Sequence, residues 1–144
     1  MLDEARRKNF TRLKEIFSPY EKVFHLPEPT HKADPCWFGF LLTVRDGASI
    51  RRQEFVDFME KKKIQTRSYF TGLVLAHPGY IHLAEPYGPL EKTFPIAAKV
   101  THDSFFLGTY YGLTDEKLDY IEECVKEFFN FRYSLPHSEV LLPD

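Results

Sequence analysis

Arg67 is the strongest candidate in this sequence for a residue that binds a ligand. It closes a short segment, residues 64–67, that is predicted to be a central β-strand, and a long segment rich in glycine and proline follows it. The guanidinium group can bind a carboxylate or a phosphate through two parallel hydrogen bonds. The residues alone leave two roles open for Arg67. It either holds an anionic ligand or pairs with a carboxylate of its own domain.

Other groupings of reactive residue types do not form a catalytic template. His102, Asp103 and Ser104 are the residue types of a hydrolytic triad, but adjacency in sequence does not create the geometry of a triad. His77 and His82 lie in a segment without a helical pattern that could align them on a metal ion. The glycines are too sparse for a phosphate-binding loop. We therefore expect no metal site and no complete catalytic site.

Composition excludes several classes of function. The chain has 144 residues, a formal net charge of −2 and a pI near 6.3, which argues against nucleic-acid binding. Its two cysteines, Cys36 and Cys124, form no CxxC pattern and fit a cytoplasmic protein, and no apolar run suggests a membrane partner. The aromatic fraction of 16% is high. It predicts either an aromatic core or a second surface made for contact.

The order of predicted elements indicates an α+β fold, a two-layer sandwich in which helices cover a small, mainly antiparallel sheet. Residues 37–45 are apolar and aromatic throughout, which predicts a strand covered on both faces. Residues 50–63 show a helical apolar stripe, with Ser49 as the predicted N-cap. Further strands are predicted at 64–69 and 105–111. Residues 71–93 form a loop of a length that is usually functional.

The remaining segments complete the predicted organisation. Helices are predicted at residues 3–18, over a short segment at 94–100, and from Asp115 onward behind Thr114. In terms of domains, the sequence predicts a connecting helix at 1–18, a linker at 19–35, an α+β small domain at 36–130 and a C-terminal tail at 131–144.

Four motifs follow one another along the chain: Trp37-Phe38-Gly39-Phe40, Ile64-x-Thr66-Arg67, Phe70-x-Gly72 with Pro78, and Phe106-Leu107-Gly108-x-Tyr110-x-Gly112-Leu113-Thr114. In this order they resemble the C-terminal small domain of the sugar aminotransferase/dehydrase family of the DegT/DnrJ/EryC/StrS type, which has the aspartate aminotransferase fold. The resemblance spans roughly residues 4–130. It is closest to the CDP-4-keto-6-deoxyglucose 3-dehydrase branch of lipopolysaccharide sugar synthesis.

The resemblance implies that this chain forms the lid and part of the sugar-nucleotide pocket of an enzyme that uses pyridoxal phosphate (PLP) or pyridoxamine phosphate (PMP). It implies Arg67, Phe70, Gly72 and His77 as substrate-binding residues. The implied partners are the large PLP-binding domain of the same enzyme and a nucleotide-activated deoxysugar, and a homodimer is left open. The chain has no counterpart of that large domain. We therefore expect no catalytic or cofactor-binding residue in it, and no activity from it alone.

The loop departs from the pattern of this branch, and an alternative function stays open. The branch typically reads Gly-Asn-Leu-Thr-Arg-Gln-Pro at residues 72–78, where Leu73 and Ala76 here replace an amide and an arginine. Losing those donors indicates a different sugar. The alternative is an independent α+β module that binds a small anion near Arg67. An enzyme fragment predicts an exposed aromatic docking face, whereas a module predicts a self-sufficient polar surface or a symmetric dimer interface.

Overall fold

The computed structural model describes residues 2–70 and 72–134. In chain order the elements are α1 (Leu2–Phe17), β1 (Phe24–His25), β2 (Gly39–Val44), α2 (Arg52–Lys61), β3 (Thr66–Ser68), α3 (Leu90–Thr93), α4 (Pro95–Asp103), β4 (Ser104–Gly108) and α5 (Asp115–Ser134). Four short 3-10 turns, Ser18–Tyr20, Val74–Ala76, Ile81–Leu83 and Glu85–Tyr87, lie between them. The arrangement confirms the predicted α+β class.

The described strands form one antiparallel sheet in the order β1-β2-β4-β3. Strand β4 is inserted between β2 and β3, so β3 lies at the edge of the sheet. The prediction that Arg67 ends a central strand is therefore wrong. The reason is topological: β4 comes from a segment some forty residues further along the chain, and strand propensity does not specify such a long-range pairing.

Helices α1, α2 and α5 enclose an aromatic core against one face of the sheet, which we call the helix-covered face. The rings of this core pack mostly edge to face; Phe24 and Phe55, for example, have centroids 5.3 Å apart. Burying one such side chain contributes about 2–3 kcal/mol to stability. Six phenylalanines are essentially inaccessible to solvent: Phe17, Phe24, Phe40, Phe55, Phe105 and Phe129.

Two local predictions for the β2–α2 unit are wrong. Burial alternates along β2, with Phe40 and Leu42 buried and Leu41 half-buried, so this strand is fully covered on one face only. The N-cap of α2 is Arg51 rather than Ser49. The carboxylate of Glu54 accepts hydrogen bonds from the Arg51 backbone and side chain, and Ile50 enters the core before the helix begins.

Both ends of the predicted small domain also differ from expectation. Phe24 and His25, inside the predicted linker, form β1 and pair with β2. Helix α5 continues to Ser134, so the predicted tail 131–144 begins as helix and its residues 135–144 lie outside the described residues, as does Thr71 of the loop. The division of the chain into domains stays a prediction. No helix in the described part combines the length and apolarity needed to cross a membrane.

Candidate functional site

Arg67 projects from the face of the sheet opposite the three core helices, which we call the open face. It lies in the middle of β3, is exposed, and pairs directly with Phe106 of β4. Phe106 in turn pairs with Leu41 of β2. Directly opposed residues of antiparallel strands share a face, so these three side chains form one row across the sheet.

The environment of Arg67 decides between the two roles that the sequence leaves open. Within residues 2–70 and 72–134, no carboxylate lies in ion-pair distance of its guanidinium group. Some arginines of the chain are paired with carboxylates, for example Arg12 with Asp119 at 3.1 Å and Arg132 with Glu54 at 3.0 Å. The structure therefore favours an arginine that is available to an external anion.

Three phenylalanines lie beside Arg67 on the open face, and together with it we call them the open-face cluster: Arg67, Phe38, Phe70 and Phe106. The ring centroids are 5.5 Å apart for Phe38–Phe106, 6.2 Å for Phe38–Phe70 and 6.5 Å for Phe70–Phe106. Phe38 and Phe70 are 54% and 68% exposed. An exposed ring cluster beside a cation provides a surface suited to contact rather than to the core.

Gly39 makes room for the centre of this cluster. A Cβ at this position would lie 2.6 Å from Cδ2 of Phe106, too close for any side chain. The ring of Phe106 therefore packs over the Gly39 backbone and comes within reach of Phe38. The sequence motifs contain both Phe38 and Phe106, but only the β2–β4 register shows that their rings meet. The sequence alone therefore did not identify them as site candidates.

Gly72 anchors the start of the loop against α4. Its φ of +58° is in the left-handed region, and a Cβ there would lie 2.2 Å from Oγ1 of Thr101. The backbone N–H of Leu73 donates to the same Oγ1 at 2.7 Å, and that hydroxyl donates to the carbonyl of Ala97. This packing accounts for the glycine. Its contact with substrate stays a prediction.

Leu73 explains one departure from the family pattern. The side chain is buried, with 5% of its area exposed, and it lies outside the main core cluster. The resemblance implies a hydrogen-bond donor at this position, but the buried Leu73 side chain fixes the loop instead. The loop that follows exposes a series of large apolar side chains: Val74, Tyr80, Ile81, Leu83 and Tyr87.

His77 lies in this loop, directly after the turn Val74–Ala76. It is exposed, and its backbone N–H donates to the carbonyl of Val74 at 3.0 Å. Its imidazole has no hydrogen-bond partner among the described residues. Arg67 belongs to the open-face cluster through its pairing with Phe106, and Phe70 through its ring contacts, whereas His77 has no such contact with the cluster among the described residues. Its role in binding substrate stays a prediction.

The rejected catalytic groupings remain unsupported in the structure. Nε2 of His102 lies 3.2 Å from the Glu91 carboxylate, and the buried hydroxyl of Ser104 bonds to that of Thr43 at 2.8 Å, so neither belongs to a triad. Within the described part of the chain, no group of three or more His, Cys, Asp or Glu residues could hold a metal ion.

Lysine is the residue type that would form a Schiff base with PLP. The open-face cluster contains no lysine for a Schiff base. Lys99 is held at 2.5 Å from Asp46 and 3.0 Å from Asp103. Although burial opposes it, hydrogen bonding to these two carboxylates raises the pKa of Lys99. A lysine must be neutral to attack a carbonyl carbon, so Lys99 is unsuited to that role.

Comparison with known proteins establishes the family. The sequence profile of the DegT/DnrJ/EryC1/StrS aminotransferase family matches residues 1–126. The chain belongs to this family. It is 34% identical over 131 residues to the lipopolysaccharide biosynthesis protein RfbH of Salmonella typhimurium, covering 90% of this chain and 29% of that protein. It is 36% identical over 124 residues to the dTDP-4-dehydro-2,6-dideoxy-D-glucose 3-dehydratase of Saccharopolyspora spinosa, covering 86% and 26%.

A solved structure shows the same fold. The PMP form of the sugar aminotransferase Spr1654 from Streptococcus pneumoniae superposes with a TM-score of 0.72 and 19% identity, covering 90% of this chain and 31% of that one. The chain thus spans less than a third of the length of each of these three family members. The family's enzymes use PLP or PMP, and its members matched here include deoxysugar dehydratases and aminotransferases.

Proposed function

We propose that this chain is the C-terminal small domain of a PLP- or PMP-dependent nucleotide-deoxysugar dehydrase or aminotransferase of lipopolysaccharide sugar biosynthesis. The observation that carries the proposal is the open-face cluster. It combines exposed aromatic rings with an arginine that has no carboxylate partner among the described residues, on the face that the three core helices leave uncovered. A surface of this kind is expected to be covered in the complete enzyme, and the relatives have the additional chain length to cover it.

The residues of the cluster suggest how it would contribute to binding. A nucleotide-activated sugar carries a phosphate-linked negative charge next to flat and apolar surfaces. Arg67 would hold the charge through paired hydrogen bonds, and Phe70 would supply stacking surface at the base of the loop. Residues 72–78, including Gly72 and His77, would form part of the lid. The cofactor, held by the large domain, would supply the electron sink for the reaction.

The same proposal includes the organisation of the chain. Residues 1–18 would connect to the large domain, residues 19–35 would link, residues 36–130 would form the small domain, and 131–144 would follow as a tail. The enzyme would be cytoplasmic, as expected for the synthesis of activated sugars, and a homodimer remains compatible with it.

Cofactor binding tests this assignment. We would compare the chain alone with a chimera in which it replaces the matching residues of the Saccharopolyspora spinosa dehydratase, using the absorbance of added PLP and PMP. We expect a saturable cofactor spectrum for the chimera and for the parent dehydratase, and none for the chain alone. Stoichiometric cofactor binding by the chain alone would contradict the proposal and place the site within these 144 residues.

An independent anion-binding module is the second candidate, and it is favoured by the lack of a carboxylate near Arg67 within the described residues. A module of this kind would bind inorganic pyrophosphate by itself, with chemical-shift changes centred on β3. The small-domain proposal expects no saturable binding at Arg67 at millimolar pyrophosphate, because most of the pocket would come from the large domain.

A further inference from the structure

A cavity of about 340 Å³ lies at the other end of β3, away from Phe70 and the loop. It opens on the helix-covered side of the sheet, between the start of β3, the end of β4 and the first turns of α5. It is therefore separate from the open-face cluster. Its floor is apolar and nearly inaccessible to solvent, formed by Ile64, Leu107, Leu113 and Ile121.

The rim of the cavity carries two lysines that no described carboxylate neutralises. Across residues 2–70 and 72–134, Lys63 has no ion-pair partner, and Nζ of Lys117 donates to the carbonyl of Gly112 at 2.8 Å. That same Nζ lies 5.9 Å from the ring centre of Tyr110. Among the described residues that line the cavity there is no aspartate or glutamate. Its rim therefore carries two positive charges above an apolar floor.

Two lysines near the cavity are paired with carboxylates. Lys62 lies 2.6 Å from Glu127, and Lys126 lies 2.6 Å from Glu122. Lys62 and Lys126 are thus neutralised by carboxylates, whereas Lys63 and Lys117 on the rim, like the exposed Lys61 outside the cavity, are not neutralised by any described residue. An anion from solution would complete the missing pair of charges.

Lys63 also occupies a backbone conformation that disfavours it. Its φ is +64°, and it follows the last residues of α2, at a position where glycine or asparagine usually ends a helix. The backbone N–H of Ile64 donates to the carbonyl of Met59 and closes the helix in this conformation, which is less favourable for lysine than for glycine. The conformation places an ammonium group at the rim where a glycine would have satisfied the helix end.

We propose that this cavity binds a small organic anion in which one carboxylate or phosphate group is attached to a flat apolar ring. The ring would lie on the apolar floor between Tyr110 and Tyr120, and the anionic group would pair with Lys63 and Lys117. The volume is within the range of small-molecule sites. The proposal does not depend on the function assigned to the open face.

Phenyl phosphate titrated into the full chain, followed by backbone amide chemical shifts, tests this proposal. We expect saturable shifts confined to residues 63–65, 107–113 and 117–121. Lys63→Asn keeps a residue suited to the left-handed region but removes the ammonium group, and it should weaken binding about fivefold. Lys61→Gln, which removes an exposed lysine two positions away and outside the cavity, is the matched control and should leave the affinity unchanged.

Further probes separate the two parts of the recognition. Inorganic phosphate and benzyl alcohol should each bind at least about tenfold more weakly than phenyl phosphate, because each lacks one half of the required chemistry. Benzoate distinguishes the anion source: tighter binding than phenyl phosphate indicates a carboxylate ligand, and weaker binding a phosphate ester. Shifts elsewhere, equal affinity for inorganic phosphate or benzyl alcohol, or equal affinities of the Lys63→Asn and Lys61→Gln variants would overturn the proposal.

Discussion

Arg67 faces solvent beside three aromatic rings. No described residue forms an ion pair with its guanidinium group or accepts a hydrogen bond from its five N–H donors. A neutral residue would satisfy the β3–β4 register equally well. Under the proposed function, the guanidinium would pair with an anion supplied by the large domain or by the substrate.

Replacing Arg67 in the chimera tests this account at the residue scale. We expect Arg67→Ala to raise the KM for dTDP-4-dehydro-2,6-dideoxy-D-glucose about ten- to a hundredfold, the size of a lost charge-assisted hydrogen bond. Arg67→Lys should recover part of the loss, since it keeps the charge but not the two-pronged geometry. An unchanged KM in Arg67→Ala would remove this residue from the site.

The predicted role of Gly72 depends on packing against Thr101 rather than on charge. Gly72→Ala should lower the free energy of unfolding by about 2–3 kcal/mol, because the new Cβ would meet Thr101 and the left-handed φ disfavours alanine. Gly79→Ala is the matched control, since a Cβ at position 79 would meet nothing within 4 Å and the φ there is ordinary. Urea unfolding measures both. Equal stabilities would contradict the anchoring role of Gly72.

At the scale of elements, α1 is fixed to α5 by polar contacts rather than left free. Arg12 contacts Asp119 and Glu122, and Nζ of Lys8 lies 2.7 Å from Asp115. The amide of Asn9, which is buried, donates to the carbonyl of Tyr110 at 2.8 Å. The helix that the sequence predicts as a connector is therefore packed against α5 through these polar contacts.

Removing Arg12 tests this connection. Arg12→Gln should destabilise the chain by about 0.5–1 kcal/mol near pH 7, a value that allows for solvent screening of a partly exposed pair. Arg6→Gln on the same helix, without an ion pair in the described structure, should have no comparable effect. If the two variants unfold at the same urea concentration, the α1–α5 contacts do not stabilise the chain.

The pH dependence of this effect follows from Glu122. Hydrogen bonding from Lys126, and then from Arg12, lowers the pKa of Glu122 below its ordinary value of 4.5, against the opposing effect of burial. A lowered carboxylate pKa gives stability that is present above the ordinary value and is lost as the pH falls through the lowered one. The difference between Arg12→Gln and the unaltered chain should therefore shrink below about pH 4. A constant difference down to pH 3 would contradict this cause.

In the molecule as a whole, the two faces of the sheet differ in burial: the helix-covered face carries the core, and the open face carries exposed rings. Phe55→Ala on the helix-covered face should cost about 3–5 kcal/mol, as expected for a buried ring. Phe38→Ala on the open face should cost about 1 kcal/mol or less, because this ring is more than half exposed. Equal losses in urea unfolding would show that the open face belongs to the core.

The sequence predicted those parts of the molecule that depend on local pattern. Apolar periodicity located α2 and α5, and strand propensity located β2 and β4. It could not predict β1, a pair of residues recruited from a proline-rich segment, or the edge position of β3, because both depend on long-range pairing. The one-sided burial of β2 was hidden because Phe38 and Leu41 are apolar although they face outward.

The candidate site was predictable to a similar extent. Arg67 and Phe70 were found from residue type and from family resemblance. The meeting of Phe38 with Phe106 was not, because it depends on the β2–β4 register and on the space above Gly39. The cavity near Lys63 could not be predicted from the sequence. The run Lys61-Lys62-Lys63 is equally typical of the solvent-exposed surface of a helix.

The small-domain assignment is tested most sharply by turnover of dTDP-4-dehydro-2,6-dideoxy-D-glucose by the chimera, at saturating PMP and in parallel with the parent dehydratase. If this chain is the small domain of such an enzyme, we expect measurable turnover by the chimera and none by the parent lacking the segment that the chain replaces. A chimera that is folded and binds cofactor like the parent, yet shows no turnover and no affinity for the sugar nucleotide, would contradict the claim.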